Sequence, residues 1–142
     1  MQMSKTDIVT YPRFAAYVKN TLPYAATVPA IANAMRTIGQ IDSATLKRAL
    51  AWGQGPTIRV TPIAKSFGEF TPGTQEIRID TDLVNSLEAG LDTRVVPTGK
   101  VSLAGVTLLH ELVHWGDDQD GVDRPGEEGD EFERAIYGRV LS

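Results

Sequence analysis

The chain contains two histidines, His110 and His114, and both lie in one unbroken run, His110-Glu111-Leu112-Val113-His114. In an α-helix, residues four apart stand one turn above each other on the same face, so two imidazoles at this spacing can reach a single ion. Glu111 follows the first histidine and points toward the water that would fill an open coordination position. An H-E-x-x-H arrangement of this kind is the signature of zinc hydrolases, with two ligands and one general base.

A catalytic zinc site takes three protein ligands and leaves one position for water. With no cysteine in the chain, the third ligand must be a carboxylate, and disulfides are excluded. Nine of the 18 acidic residues lie between Asp117 and Glu133, where Arg124 is the only base. Within this tract, Glu128 lies four before Phe132, on the inward side of a helix start, and Glu131 is on an adjacent face. Glu133 is rotated further away, and Asp117 to Asp123 follow His114 closely in a loop. The run Asp118 to Asp123 is only faintly like a calcium loop. It lacks glycine at the sixth position and the distal glutamate, so it reads as a solvated acidic rim that repels acidic substrates. Tyr137, a phenol near the ligand helix, is a candidate donor to a developing oxyanion, although a core aromatic is the more favoured reading of it.

The elements that must hold these residues follow from hydrophobic period. Helical stripes appear at Phe14, Tyr17, Val18 and Leu22, then at Ile31, Ala34, Met35 and Ile38, and then at Leu46, Leu50 and Trp52 behind Ser43 as N-cap. From Pro56 the period changes to two. Thr57–Pro62 and Gln75–Asp80 read as strands, the second forming a hairpin with Ser66–Phe70 through the turn Thr71-Pro72-Gly73-Thr74. A short helix carries Leu83, Val84 and Leu87 to Gly90, and Leu91–Lys100 reads as loop. The metal helix is expected from Val101 to Trp115 with Gly116 as its stop, and Gly105 inside it implies close packing against a neighbour. A last helix, Glu128 to about Leu141, carries Phe132, Ile136 and Val140 on its core face. The strand Glu76–Asp80 is where an extended substrate could pair.

Length and composition frame this. The 142 residues suit one domain, with residues 1–55 helical and 56–142 holding the sheet, the H-E-x-x-H helix and the third-ligand helix. A hydrophobic share of 42% against 23% charged reads as soluble and globular, with no apolar run long enough to span a bilayer and no visible signal peptide. The net charge of −4 argues against nucleic acid as a partner. The expected fold class is α+β: N-terminal helices, a small, mostly antiparallel sheet, the active-site helix and a C-terminal ligand helix.

The run His-Glu-Leu-Val-His-Trp-Gly-Asp at 110–117, with Glu-Glu-Gly-Asp-Glu-Phe-Glu at 127–133 and Tyr137-Gly138, resembles the metallopeptidase toxin 3 (Tox-MPTase3) domains. These are zincin-like toxin modules of bacterial polymorphic toxins and secretion-system effectors. Gly68–Pro72 followed by Ile77–Asp80 is loosely similar to the family's strand region. Glu128-Gly129-Asp130-Glu131-Phe132 is also similar to the E-A-x-x-F pattern of ImmA-type zincins, whose leading glutamate is the third ligand. That similarity implies Glu128 as ligand, with Glu131 as the alternative. The deuterolysins fit less well, because Arg134 stands where their ligand would be. The resemblance implies a zinc peptidase acting on protein or peptide, delivered into a target cell as the C-terminal domain of a larger effector and neutralised by a cognate immunity protein. Two other readings stand beside it: a regulatory peptidase of the ImmA type, and a binding module in which the metal serves structure.

Overall fold

The computed structural model describes residues 1–121 and 126–142. Glycine and proline punctuation divides the first half as the hydrophobic stripes imply. After a two-residue strand β1 (Gln2–Met3) come α1 (Lys5–Thr10), α2 (Pro12–Asn20), a 3-10 turn (Leu22–Thr27), α3 (Pro29–Thr37) and α4 (Ser43–Leu50). Prolines open α2 and α3 at the first helical position, where a missing amide costs nothing. The cap of α4 is Asp42, one residue before the expected Ser43, and its carboxylate accepts from the Thr45 amide at 2.7 Å. Phe14, Val18, Met35, Leu46 and Leu50 are completely or almost completely buried, so these stripes are core.

The second half holds β2 (Thr57–Thr61), β3 (Gly68–Phe70), β4 (Glu76–Asp80), α5 (Thr81–Glu88), β5 (Thr93–Val96), β6 (Gly99–Ser102), α6 (Leu103–Gln119) and α7 (Glu128–Tyr137). The main sheet has the order β1-β2-β4-β3. It is mixed, not mostly antiparallel. β1 with β2 and β2 with β4 run parallel, with Ile58 opposite Ile77 and Val60 opposite Ile79, and only β3 with β4 runs antiparallel. The hairpin forms because Gly73, at φ 81°, closes a tight turn between β3 and β4. The chain leaving β2 passes β4 and returns through β3, so β2 must meet β4 in parallel. Period-two patterning marks a strand and its buried face (here Ile58, Ile77 and Ile79), but says nothing of the partner's direction.

Three expectations change. β4 is hydrogen-bonded on both sides, so the open edge of this sheet beside the metal helix belongs to β3 and not to Glu76–Asp80. The expected loop 91–100 contains a second hairpin, β5 with β6, turning through Pro97 and Thr98. Finally, α6 does not stop at Gly116 but continues to Gln119. Gly116 has an ordinary helical φ, and a Cβ there would run into Ile41 and into the Gly39 carbonyl 2.5 Å away. It is a glycine of close approach inside the helix rather than a terminator. Gly105 does the same against Tyr17, as its place in the helix implied.

Candidate metal centre

α6 is buried on nearly every face, from Leu103 through Val113, which makes it the central helix of the fold. Its start is fixed twice. Ser102 Oγ accepts from the Gly105 amide at 3.2 Å, and buried Asp92 accepts from Ser102 Oγ at 2.5 Å and from the Ala104 amide at 3.2 Å. With the N-terminus anchored, the C-terminal half presents His110, Glu111 and His114 to a cleft of about 610 Å³. The opposite wall is β3 with its flanks, including Phe67, Gly68, Glu69 and Phe70. Gly68 allows this approach, since a Cβ there would collide with Thr107 and stand 3.1 Å from Glu111 Cγ.

The two imidazoles converge through the same atom. His110 Nε2 and His114 Nε2 are 3.3 Å apart, with ring centroids at 5.1 Å. Two nitrogens held by one tetrahedral zinc at ~2.0–2.1 Å stand roughly 3.3 Å from each other, so the pair is spaced as ligands are. The third group is Glu127, whose Oε1 lies 2.8 Å from His114 Nε2 and 3.4 Å from His110 Nε2. Among the described residues, His110, His114 and Glu127 form the group whose ligand atoms lie within 4.8 Å of one another. Two imidazole nitrogens and a carboxylate, with no cationic side chain lining the cleft among the described residues, are a donor set suited to a divalent cation. Gly129 completes the cradle: a Cβ there would fall on the His110 ring, at Nε2, Cδ2 and Cε1.

Comparison with family profiles matches the metallopeptidase toxin 3 family (Tox-MPTase3) across residues 7–138. The chain belongs to the metallopeptidase toxin 3 family. Neither the curated proteins nor the solved structures give a match. Family membership marks the chain as a metallopeptidase of toxin type, with a metal cofactor and a protein substrate. No helix among the described residues is long and apolar enough to cross a membrane.

In this family member the carboxylates of α7 surround the two histidines from several sides. Glu128 is buried and sets its Oε2 3.5 Å from His114 Nδ1, the ring nitrogen turned away from the His110–Glu127 group, while its Oε1 is buried without a hydrogen-bond partner among the described residues. Glu131 is exposed on α7 and does not line the cleft. Glu133, fully buried, stands 2.8 Å from His110 Nδ1. Tyr137 is also buried, edge-on to Phe132 with centroids 6.5 Å apart. It lines a second cavity of about 290 Å³ with Tyr17, Gly105 and Leu109, whereas the cleft lining does not include it. In the acidic rim, Asp118 accepts from the Gly73 amide at 3.0 Å and so ties the end of α6 to the β3–β4 turn. Asp123 and Arg124 lie outside the described residues.

The protein's own groups set the electrostatics. Burial raises the Glu111 carboxyl above the ordinary glutamate value, against the pull of His110 and His114. His110 lies above the ordinary histidine value, because Glu133, Glu111 and Glu127 outweigh the opposing effect of burial. Burial also works to raise Glu133, but its hydrogen bonds from His110, Ser142 and the Leu141 amide win and hold it low.

Sequence reasoning passed over Glu127 and Glu133. Glu127 precedes α7 at φ −106° and ψ 87°, so it belongs to no helix face and face-counting does not find it. The available signal was its place immediately before a helix that must approach His114; its side chain makes no capping hydrogen bond to α7 and reaches the two imidazoles instead. Glu133 was placed on a face rotated away from Glu128. In the structure that rotation lets one helix reach different sides of the two rings.

Proposed function

We propose that the protein is a zinc-dependent peptidase of zincin type, with His110, His114 and Glu127 as ligands and Glu111 as general base. The observation that carries this is the triangle of His110 Nε2, His114 Nε2 and Glu127 Oε1, with Glu111 Oε1 3.9 Å from His110 Nε2 on the same cleft wall. The sequence pattern implied Glu128 as third ligand. Its approach to Nδ1 of His114 suits a different part, orienting that ring through the nitrogen that an Nε2-bound histidine leaves free.

When bound, the ion supplies Lewis acidity toward a water and a scissile carbonyl. Glu111 does the proton work. It takes a proton from the attacking water as the carbon–oxygen bond forms, and returns it to the leaving nitrogen as the carbon–nitrogen bond breaks. Burial on the cleft wall keeps the carboxyl out of bulk water and raises it above the ordinary glutamate value, the direction that favours its holding a proton between the two transfers. A substrate in extended form would add to the free edge of β3, which lines the cleft next to Glu111. The grouping holds three protein ligands among the described residues, which supports an open position for water over a closed structural site.

Membership of a toxin family supports delivery into a target cell as part of a larger effector, with a cognate immunity protein as partner. A regulatory peptidase of the ImmA type would share the chemistry but would not arrest growth on expression. The test is expression of wild type and Glu111→Gln in cytoplasm and periplasm, together with chelator-sensitive peptidase assays on the purified proteins. Growth arrest and metal-dependent cleavage by wild type alone support the proposal. Cleavage by Glu111→Gln at the wild-type rate would sink it.

A further inference from the structure

The Glu133 carboxylate has one side on the metal centre and the other on the end of the described chain. Its Oε1 is 2.8 Å from His110 Nδ1 and is also bonded by Ser142 Oγ, which is itself 3.4 Å from that Nδ1. Its Oε2 accepts from the Leu141 amide at 2.5 Å and from the Ser142 amide at 3.1 Å. The return is possible because Gly138, at φ 79°, ends α7 in the left-handed conformation and turns the chain back along the helix. Among the described residues no cation stands with these partners, and the neighbouring Arg134 is directed to Asp130 at 3.6 Å. A fully buried carboxylate is expensive unless its lone pairs are met by donors. The tail and His110 provide those donors.

Backbone amides can only donate, so Oε2 is an acceptor, and the low-cost arrangement makes Oε1 one too. A proton on His110 Nδ1 then completes the bond. The other tautomer would set two lone pairs together at 2.8 Å and point an N–H at His114 Nε2. We propose that Glu133 is a positioning residue that holds His110 with its proton on Nδ1 and its Nε2 lone pair toward His114 and Glu127, and that docking of Leu141 and Ser142 on the same carboxylate sets how firmly it does so. This rests on the metal-site reading above and adds to it a coupling between the tail and metal affinity.

The test uses the full chain, with the tautomer of His110 read by histidine nitrogen NMR in the metal-free protein, on the alkaline side of its raised titration where the ring is neutral, and zinc affinity read by chelator competition. Wild type is expected in the Nδ1–H form. Glu133→Gln can serve either His110 or the tail amides but not both, because its amide nitrogen must face donors on one side. It should mix the tautomers and weaken zinc by 10- to 100-fold, the usual effect of losing such a partner. Ser142→Ala keeps both tail amides and should weaken zinc by only a few-fold. An Nε2–H tautomer in wild type overturns the proposal without recourse to any variant. Folded Glu133→Gln with wild-type tautomer and affinity overturns it as well, and unchanged affinity in Ser142→Ala overturns the tail coupling. The tautomer is read without metal, so failure of the metal reading, seen as no zinc binding by wild type, is a separate result.

Discussion

Replacing Gly129 with alanine is a one-carbon test of the centre. Gly129 is the second residue of α7, and intrinsic propensity alone favours alanine in a helix by up to about 1 kcal/mol. The tertiary structure opposes it. The new Cβ would lie about 1 Å inside the 3.4 Å at which ordinary contact with the His110 imidazole begins, and the contacted atoms include Nε2 itself. The ring cannot move freely, since Glu133 holds its Nδ1 at 2.8 Å. Zinc–ligand distances tolerate only about ±0.2 Å, so a displacement near 1 Å exceeds what coordination can absorb. A loss of at least 100-fold in zinc affinity follows, about 2.7 kcal/mol. Chelator competition gives the affinity, and thermal unfolding of the metal-free protein shows whether the fold survives. Zinc binding in Gly129→Ala within threefold of wild type would refute the placement of α7 against His110.

Other consequences are open to direct measurement. Glu111→Gln should lower peptidase turnover by about 10²- to 10⁴-fold with zinc retained, and loss of zinc along with activity would make Glu111 a ligand rather than a base. Gly105→Ala, which pushes a Cβ into the Tyr17 side chain, should destabilise the fold by about 1–3 kcal/mol in denaturant unfolding, with part of the loss recovered in a Tyr17→Phe background. Asp42 caps α4, and hydrogen bonds from the Thr45 amide and side chain hold its carboxyl below the ordinary aspartate value. A group depressed in the folded state stabilises above its unfolded pKa and loses that effect as pH falls through the folded one. The melting-temperature gap between wild type and Asp42→Ala should therefore narrow on acidification, and a gap that widens would contradict the cap.

Much of this molecule is legible in its residues, and most of what is not legible is tertiary. The helices around Phe14, Met35 and Leu46, and the strands at Ile58 and Ile77, announce themselves through period and punctuation, which are local properties. The pairing of β2 with β4 is not local, and neither is the edge position of β3. Both follow from how the chain between Thr61 and Glu76 is routed. The hairpin of β5 and β6 was hidden because Pro97 and Gly99 read as loop residues, and they do occupy or flank its turn. Gly116 looked like a helix stop because its close approach to Gly39 and Ile41 is a tertiary fact. At the site, His110, Glu111 and His114 were visible from spacing alone. The carboxylates around them depend on where α7 crosses α6, which brings Glu127, just outside the helix, within 3.4 Å of both Nε2 atoms.

The central claim is that His110, His114 and Glu127 hold one catalytic metal. Zinc-edge anomalous diffraction from zinc-loaded crystals tests it most directly. One ion is expected at about 2.0–2.2 Å from His110 Nε2, His114 Nε2 and a Glu127 oxygen, with a water in the fourth position. Zinc ligated by Glu128 in place of Glu127, a fourth protein ligand closing the site, or no ion between the two histidines would contradict it.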